Sequence, residues 1–82
     1  MDNTVKEMLD IAERYNQALT LKSKRQISSE VEKLHSEMAP IYMKVTAENG
    51  YSEALCALSM ELLHDIRWGR PTTVNDKLMS LT

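Results

Sequence analysis

The sequence has few of the residues that catalytic and cofactor-binding motifs require. Its 82 residues include two glycines, one cysteine and one tryptophan, and no phenylalanine. Two glycines are too few for a loop that cradles phosphate groups, and no G-x-S-x-G segment presents a nucleophile on a sharp turn. A single cysteine excludes an internal disulfide bond. We therefore predict a protein that is not an enzyme and that binds no cofactor.

Long hydrophobic runs and an excess of one charge are missing as well. No apolar stretch approaches the roughly 18–20 residues that span a bilayer. The first ten residues, MDNTVKEMLD, carry acids where a signal peptide has its apolar region. The 10 basic and 12 acidic residues give a net charge of −2, so we predict no nucleic-acid binding and no direct membrane insertion. Together with the lone Cys56, these features predict a cytoplasmic protein.

What remains is the composition of a small globular protein. Hydrophobic residues make up 43% of the chain and charged residues 27%, which argues against global disorder and predicts one domain over residues 1–82. Aliphatic side chains and 6 methionines must fill the core in the absence of phenylalanine. Because so small a core gives a thin stability margin, we predict that the protein forms a homo-oligomer.

The most apolar stretch, SEALCALSMELLHDIRW, predicts a central helix over residues 52–68. Ser52 is a suitable N-cap, and Gly69 and Pro71 are stop signals after the helix. One face of the helical wheel is apolar, with Cys56 at its edge: Leu55, Leu58, Ser59, Leu62, Leu63 and Ile66. The opposite side carries Ala57, Glu61, His64 and Trp68. A stripe of this width is typical of a helix that packs in a bundle.

The segment before it predicts two more long helices. The first is capped at Asn3 or Thr4 and runs to about residues 20–22, with an apolar stripe that includes Tyr15. The second begins at Ser29, where SEVE has the form of a capping box.

Pro40 interrupts the second helix, but the apolar spacing stays in phase across it. We therefore predict one helix kinked at Pro40 rather than two helices, with a stop at Gly50. After the central helix, Val74, Leu78 and Leu81 have helical spacing, and Thr73 opens a capping-box pattern. The expected fold is an all-α bundle of three main helices with a short C-terminal helix. That last helix could equally be a frayed tail that orders on a partner.

The histidines, the cysteine and one basic cluster are the remaining candidates for chemistry. His35 and His64 lack the H-x-x-x-H spacing of a helical zinc site. Cys56 and His64 are about 12 Å apart along a helix, too far to share a metal. The cluster at residues 22–25 is interpreted as cations favoured at the C-terminus of the first helix. The alternative, a phosphate or nucleic-acid contact, needs more charge and more aromatic residues.

Trp68 has two interpretations. It could fold onto the last helix and cover Val74 or Leu78, or it could be an exposed tryptophan flanked by arginines, a combination enriched in protein interfaces. The second interpretation gives the predicted partner-binding residues Arg67, Trp68 and Arg70. Tyr42 and Tyr51 are similar but weaker candidates, and Tyr51 is included in the predicted partner-binding set.

The sequence from MDNTVKEMLDIAERYNQAL through ALCALSMELLHDIRWGR resembles the rIII lysis-inhibition accessory proteins of T-even bacteriophages. The resemblance covers essentially the whole chain but includes no short functional motif. It implies a cytoplasmic, non-enzymatic protein that acts with the antiholin and contacts the cytoplasmic part of the holin, which delays lysis. It assigns no binding residue.

Two other classes of function stay open. An inhibitor of a host enzyme would form a stoichiometric inhibitory complex with that enzyme. A small transcriptional regulator would read DNA with its central helix, but Glu61 and Asp65, with no basic residue before Arg67, argue against entry into a major groove. A salt-dependent shift of duplex DNA would support the regulator.

Overall fold

Four α-helices form the fold in a computed structural model that describes residues 3–47 and 50–81. They are α1 (Thr4–Ala18), α2 (Lys24–Ala47), α3 (Glu53–Trp68) and α4 (Val74–Met79). Within those two ranges there is no β-strand. The predicted all-α bundle of three main helices and one short C-terminal helix is confirmed. The long dimension of the molecule, 40 Å, is close to the length of about 36 Å expected for the 24 residues of α2.

The central helix α3 places its predicted apolar face in the core. Leu62 and Ile66 are completely inaccessible to solvent, and Leu55, Leu58 and Ser59 are buried with them. On the opposite side Ala57, His64 and Trp68 are exposed. The prediction of the two faces is therefore correct, because an amphipathic helix in a bundle turns its apolar stripe towards the neighbouring helices.

The other helices contribute side chains that pack around α3 and complete the core. Aliphatic side chains, two methionines and one tyrosine supply most of the buried volume: Met8, Ile11, Ala12 and Tyr15 from α1, Leu34, Met38 and Val45 from α2, and Val74 and Leu78 from α4. Although α4 has only six residues, two of its side chains are fully buried, and it packs on both α1 and α3. The predicted C-terminal helix is therefore an integral part of the bundle.

The boundary between α1 and α2 differs from the prediction. α1 ends at Ala18 in tight turns, with the Thr20 amide donating to the Gln17 carbonyl at 3.0 Å and the Leu21 amide to the Ala18 carbonyl at 3.1 Å. α2 begins at Lys24, five residues before Ser29. The predicted start at the capping box was wrong, because the preceding Lys, Arg and Gln residues are strong helix formers that extend the helix.

This earlier start also changes the interpretation of the basic cluster. Lys24 and Arg25 lie in the first turn of α2, which contains no acidic residue. The interpretation of the whole cluster as cations at a helix C-terminus was therefore wrong for these two residues. A helix N-terminus carries partial positive charge, so the macrodipole opposes Lys24 and Arg25 rather than stabilising them.

α2 continues without interruption through Pro40. Pro40 has no amide hydrogen to donate to the carbonyl of Ser36, and both residues are exposed, so water can satisfy that carbonyl. The prediction of one helix rather than two is confirmed. The predicted stop at Gly50 fits a backbone φ of 108° there, although residues 48 and 49 lie outside the described ranges.

Both predicted ends of α3 are confirmed. The Ser52 hydroxyl oxygen accepts a hydrogen bond from the Leu55 amide at 3.1 Å, which is the N-cap contact. At the other end Gly69 has a φ of 70°, in the left-handed region. The Gly69 amide donates to the Ile66 carbonyl at 3.3 Å, and the Arg70 amide donates to the Asp65 carbonyl at 2.9 Å. This pair of bonds is a Schellman motif, which favours glycine because it has no Cβ.

The cap of α4 differs from the predicted capping box. Thr73 occupies the N-cap position, but its side chain makes no capping hydrogen bond. The Val74 amide instead donates to the hydroxyl of the buried Thr72 at 3.4 Å. Leu81 lies after the end of α4 and is exposed, so its place in the apolar stripe was predicted wrongly.

Replacing Leu62 should test the core directly. We expect Leu62→Ala to lower the free energy of unfolding by about 2–5 kcal/mol, because it leaves a cavity at a fully buried position. Urea unfolding followed by far-UV circular dichroism measures this loss. The neighbouring Glu61→Ala is the control, since its partly exposed ion pair with Lys77 at 3.1 Å contributes at most about 1 kcal/mol. Equal losses in the two variants would contradict the assignment of the α3 faces.

Candidate functional site

The C-terminal end of α3 carries the most exposed large apolar side chain among the described residues. Trp68 is 68% exposed, whereas Val74 and Leu78 are completely buried. The interpretation that Trp68 folds down to cover α4 was therefore wrong. Arg67 and Arg70 are exposed on either side of it. We call Arg67, Trp68 and Arg70 the Trp68 corner.

The Schellman motif fixes the direction of the chain at this corner. Gly69 directly follows Trp68, the last residue of α3. The Arg70 backbone N–H donates a hydrogen bond to the Asp65 carbonyl and so holds Arg70 to the end of the helix. The Arg70 side chain also approaches Asp65, with Nε and Oδ1 3.7 Å apart. Trp68 and Arg70 are therefore presented on a backbone whose local hydrogen bonds are satisfied, rather than on a loose loop.

Tyr15 joins the corner to α1. Its side chain is completely buried, and its hydroxyl oxygen lies 2.8 Å from the Asp65 carbonyl oxygen and 2.7 Å from the Arg70 carbonyl oxygen. A phenol has one hydrogen to donate, so these two carbonyls share it. Both acceptors belong to the Schellman turn, and the buried hydroxyl thus ties α1 to the end of α3.

Asn16 holds the next part of the turn. Its Nδ2 donates to the Thr72 carbonyl at 3.0 Å, and its Oδ1 accepts from the Thr72 amide at 3.1 Å. The side-chain amide therefore pairs with the Thr72 backbone in the way a neighbouring peptide group would. Two side chains of α1, those of Tyr15 and Asn16, therefore hold the end of α3 and the turn before α4 at three residues: Asp65, Arg70 and Thr72.

Sequence reasoning did not identify Tyr15 and Asn16 as contributors to this site. Tyr15 was assigned to the apolar stripe of the first helix, which is correct for its ring. A buried tyrosine also needs a partner for its hydroxyl, and that requirement was the available signal. Nothing local in the sequence identifies the partner, because Asp65 and Arg70 are 50 and 55 residues away.

Tyr15 is also the group whose acid–base behaviour the fold changes. Burial raises the pKa of the Tyr15 hydroxyl above its usual value, since the phenolate would be poorly solvated. The negative charge of Asp65 raises the same pKa further, and the positive charge of Arg70 opposes both effects. The neutral hydroxyl is therefore the form that the folded state favours.

An open groove between α2 and α3 lies beside the corner. Its lining combines polar, charged and apolar residues: Ser28, Val31, Glu32, His35, Ser36, Ile66 and Arg67. Arg67 belongs to both the groove and the Trp68 corner, and it forms no ion pair with any residue that the structure describes. The groove and the corner are therefore joined at Arg67, and Glu32 adds a negative charge to the groove.

Tyr51 lies elsewhere. It precedes the first residue of α3, whereas Trp68 is the last, so about 24 Å of helix separates them. Tyr51 is half-buried against the core, and Lys44 Nζ lies 6.0 Å from its ring centroid, at the outer limit of a cation–π contact. The structure thus brings together Arg67, Trp68 and Arg70 but not Tyr51.

No group of three or more His, Cys, Asp or Glu side chains is arranged to hold a metal ion in residues 3–47 and 50–81. His35 lies on α2 and His64 on the exposed side of α3. The Cys56 thiol is 3.4 Å from the Val45 carbonyl oxygen, to which it donates. Over the same residues, none of the helices has the length and apolar character needed to cross a membrane.

Comparison with known proteins found no matching protein family, no similar curated protein and no similar solved structure. The resemblance of the sequence to lysis-inhibition accessory proteins accordingly stays a hypothesis.

Removing the Tyr15 hydroxyl should destabilise the fold in a pH-dependent way. At pH 7 we expect Tyr15→Phe to cost about 1–3 kcal/mol, since the Arg70 carbonyl loses the hydroxyl as its donor while the Asp65 carbonyl keeps the Arg70 amide. Because the pKa is raised in the folded state, the unfolded chain loses this proton first as the pH rises above about 10. The wild type should therefore lose this part of its stability above that pH, and the variant should not.

The measurement is urea unfolding of both proteins between pH 7 and pH 11. Tyr42→Phe is the matched control, since Tyr42 is only partly buried and its hydroxyl donates to no described residue. A constant stability difference between wild type and Tyr15→Phe across the whole range would contradict the coupling of folding to this proton.

Proposed function

We propose that this protein is a non-enzymatic accessory protein that acts in the cytoplasm by binding another protein through the Trp68 corner. The proposed target is the cytoplasmic part of a phage holin, bound together with the antiholin so that host lysis is delayed. The observation that carries the proposal of a binding surface is the exposure of Trp68 between Arg67 and Arg70. The choice of the holin as target comes from the resemblance of the sequence.

Tryptophan and arginine are the residue types that most often supply the binding energy of protein interfaces. Burying a tryptophan side chain stabilises a folded protein. The buried face of α3 is close at hand, since Ile66 lies two residues before Trp68. Its exposure next to two arginines therefore favours an interface over a packing role.

The rigidity of the corner also supports binding. The Gly69 turn and the Tyr15 hydrogen bonds fix the backbone that carries Trp68 and Arg70. A surface that is ordered before binding loses less conformational entropy when the partner arrives. More of the contact energy then contributes to affinity.

The chemistry of the surface predicts the chemistry of the bound segment. A short cytoplasmic segment would fit as an amphipathic helix, with apolar side chains against Trp68 and against Val31 in the groove. Acidic residues beside those apolar anchors would face Arg67 and Arg70. Tyr51 lies too far along α3 to contact the same short segment as Trp68.

An inhibitor of a host enzyme could use the same corner, since an exposed Trp/Arg surface does not specify the partner. The inhibitor hypothesis predicts one-to-one loss of that enzyme's activity on titration with this protein. DNA binding has less support, because Glu61 and Asp65 flank the exposed face of α3 and Arg67 lies at its very end.

Truncating Trp68 should weaken holin binding. We expect Trp68→Ala to lose about 2 kcal/mol or more, roughly thirtyfold in affinity for a synthetic peptide of the holin's cytoplasmic segment. Isothermal titration calorimetry measures the affinity, after circular dichroism has established that the variant is folded. Met43→Ala on α2 is the matched control, because Met43 is an equally exposed apolar side chain at 67% and lies outside the corner.

The possible outcomes test the proposed partner and the proposed surface separately. Absence of binding by the wild type at high micromolar concentration would remove the holin as target. Binding that Trp68→Ala leaves unchanged would keep the holin and move the contact away from the Trp68 corner. An equal loss in Met43→Ala would show that the effect is not specific to the corner.

A further inference from the structure

The exposed side of α3 continues from the Trp68 corner along the whole helix. Five exposed residues follow each other at alternating spacings of four and three, so they form one stripe: Glu53, Ala57, Met60, His64 and Arg67. Residues at these spacings lie on one side of a helix, with the apolar Ala57 and Met60 towards the middle of the stripe and charged residues at its two ends. No described helix of the same chain covers this stripe, since its residues are exposed and Met60 at the centre is 44% exposed.

The charges on this stripe are placed symmetrically about Met60. Glu53 is seven residues before Met60 and Arg67 is seven residues after it, which is about 10.5 Å along the helix in each direction. Neither Glu53 nor Arg67 forms an ion pair within the described part of the chain. An antiparallel helix of the same sequence, centred on Met60, would place its own Arg67 level with Glu53.

The sizes of the side chains are complementary under the same operation. Apart from the charged Glu53 and Arg67, the exposed Ala54 and Ala57 near the start of α3 are small, whereas His64 and Trp68 near its end are large. Antiparallel pairing places the small end of one helix against the large end of the other. A two-fold axis requires such self-complementarity, because each copy contributes the same surface.

Other charges near the stripe are already compensated or lie outside it. Glu61 pairs with Lys77 of α4, with Nζ 3.1 Å and 3.2 Å from the two carboxylate oxygens. Asp65 is half-buried beside Tyr15 and faces Arg70. Glu53 and Arg67 are therefore the two charges of α3 that remain available for a second molecule.

We propose that two copies of this chain form an antiparallel dimer through the exposed face of α3, with Met60 on the two-fold axis and an ion pair between Glu53 and Arg67 at each end. The dimer does not depend on the proposed holin target and stands or falls separately from it. It has one consequence for any partner of the Trp68 corner: the second copy covers Trp68, so binding of that partner competes with self-association.

Charge reversal at the two ends tests this arrangement. Glu53→Arg makes both ends of the stripe positive, and Arg67→Glu makes both ends negative. Each variant alone should then dimerise about tenfold or more weakly than the wild type, because both ion pairs become repulsions. An equimolar mixture of the two variants should recover the wild-type association, since every end of one variant now faces its opposite charge on the other.

Sedimentation equilibrium over micromolar to millimolar concentrations measures the association. Trp68 is the only tryptophan in the sequence, and quenching of its fluorescence by acrylamide should fall as the dimer forms. Lys33→Glu is the matched control for Arg67→Glu, because it makes the same change in charge at an exposed position on α2. Far-UV circular dichroism checks folding, and Glu53→Gln with Arg67→Gln replaces the pair if a reversed variant is unfolded.

The expected result is a dimer in the wild type and in the mixture, and weak association of each charge-reversed variant alone. A wild-type protein that stays a single 9.4 kDa species throughout the concentration range would overturn the proposal. So would a dimer whose dissociation constant is unchanged by either charge reversal. A mixture no more associated than its components would also overturn it, since the antiparallel register would then be wrong.

Discussion

The buried hydroxyl of Tyr15 is the contact on which the C-terminal half of the structure depends. It lies within 2.8 Å of two carbonyl oxygens, those of Asp65 and Arg70, which come close together only because Gly69 turns the chain in the left-handed conformation. The hydroxyl and the turn therefore require each other. The turn supplies acceptors for a group that is costly to bury alone, and the hydroxyl satisfies carbonyls at the end of a helix.

A second polar contact, together with apolar burial, explains how a helix of six residues is stable in so small a protein. A helix as short as α4 would not form alone, because helix nucleation is unfavourable. Asn16 fixes the Thr72 backbone directly before it, and Val74 and Leu78 are completely buried against the bundle. The polar contacts position the segment, and burial of two aliphatic side chains then stabilises it.

The two faces of α3 have different roles. The core buries most of its apolar face, so the surface that α3 offers to other molecules lies mainly on the stripe from Glu53 to Arg67 and on Trp68. Self-association and partner binding would then use the same surface. If both occur, the concentration of the protein sets how much of Trp68 is free, because a dimer dissociates as it is diluted.

The sequence by itself determined the helices, their buried faces and the two ends of α3, because apolar spacing, the Ser52 cap and the Gly69 turn depend on residues within one or two turns of each other. It failed at Ser29, where a local capping signal competed with the helix propensity of the residues before it. Only the tertiary structure decided that Trp68 points to solvent and that Tyr15 bonds to the turn 50 residues later. Both depend on where α1 and α4 lie relative to α3, and that placement comes from packing between distant segments, which no local pattern encodes.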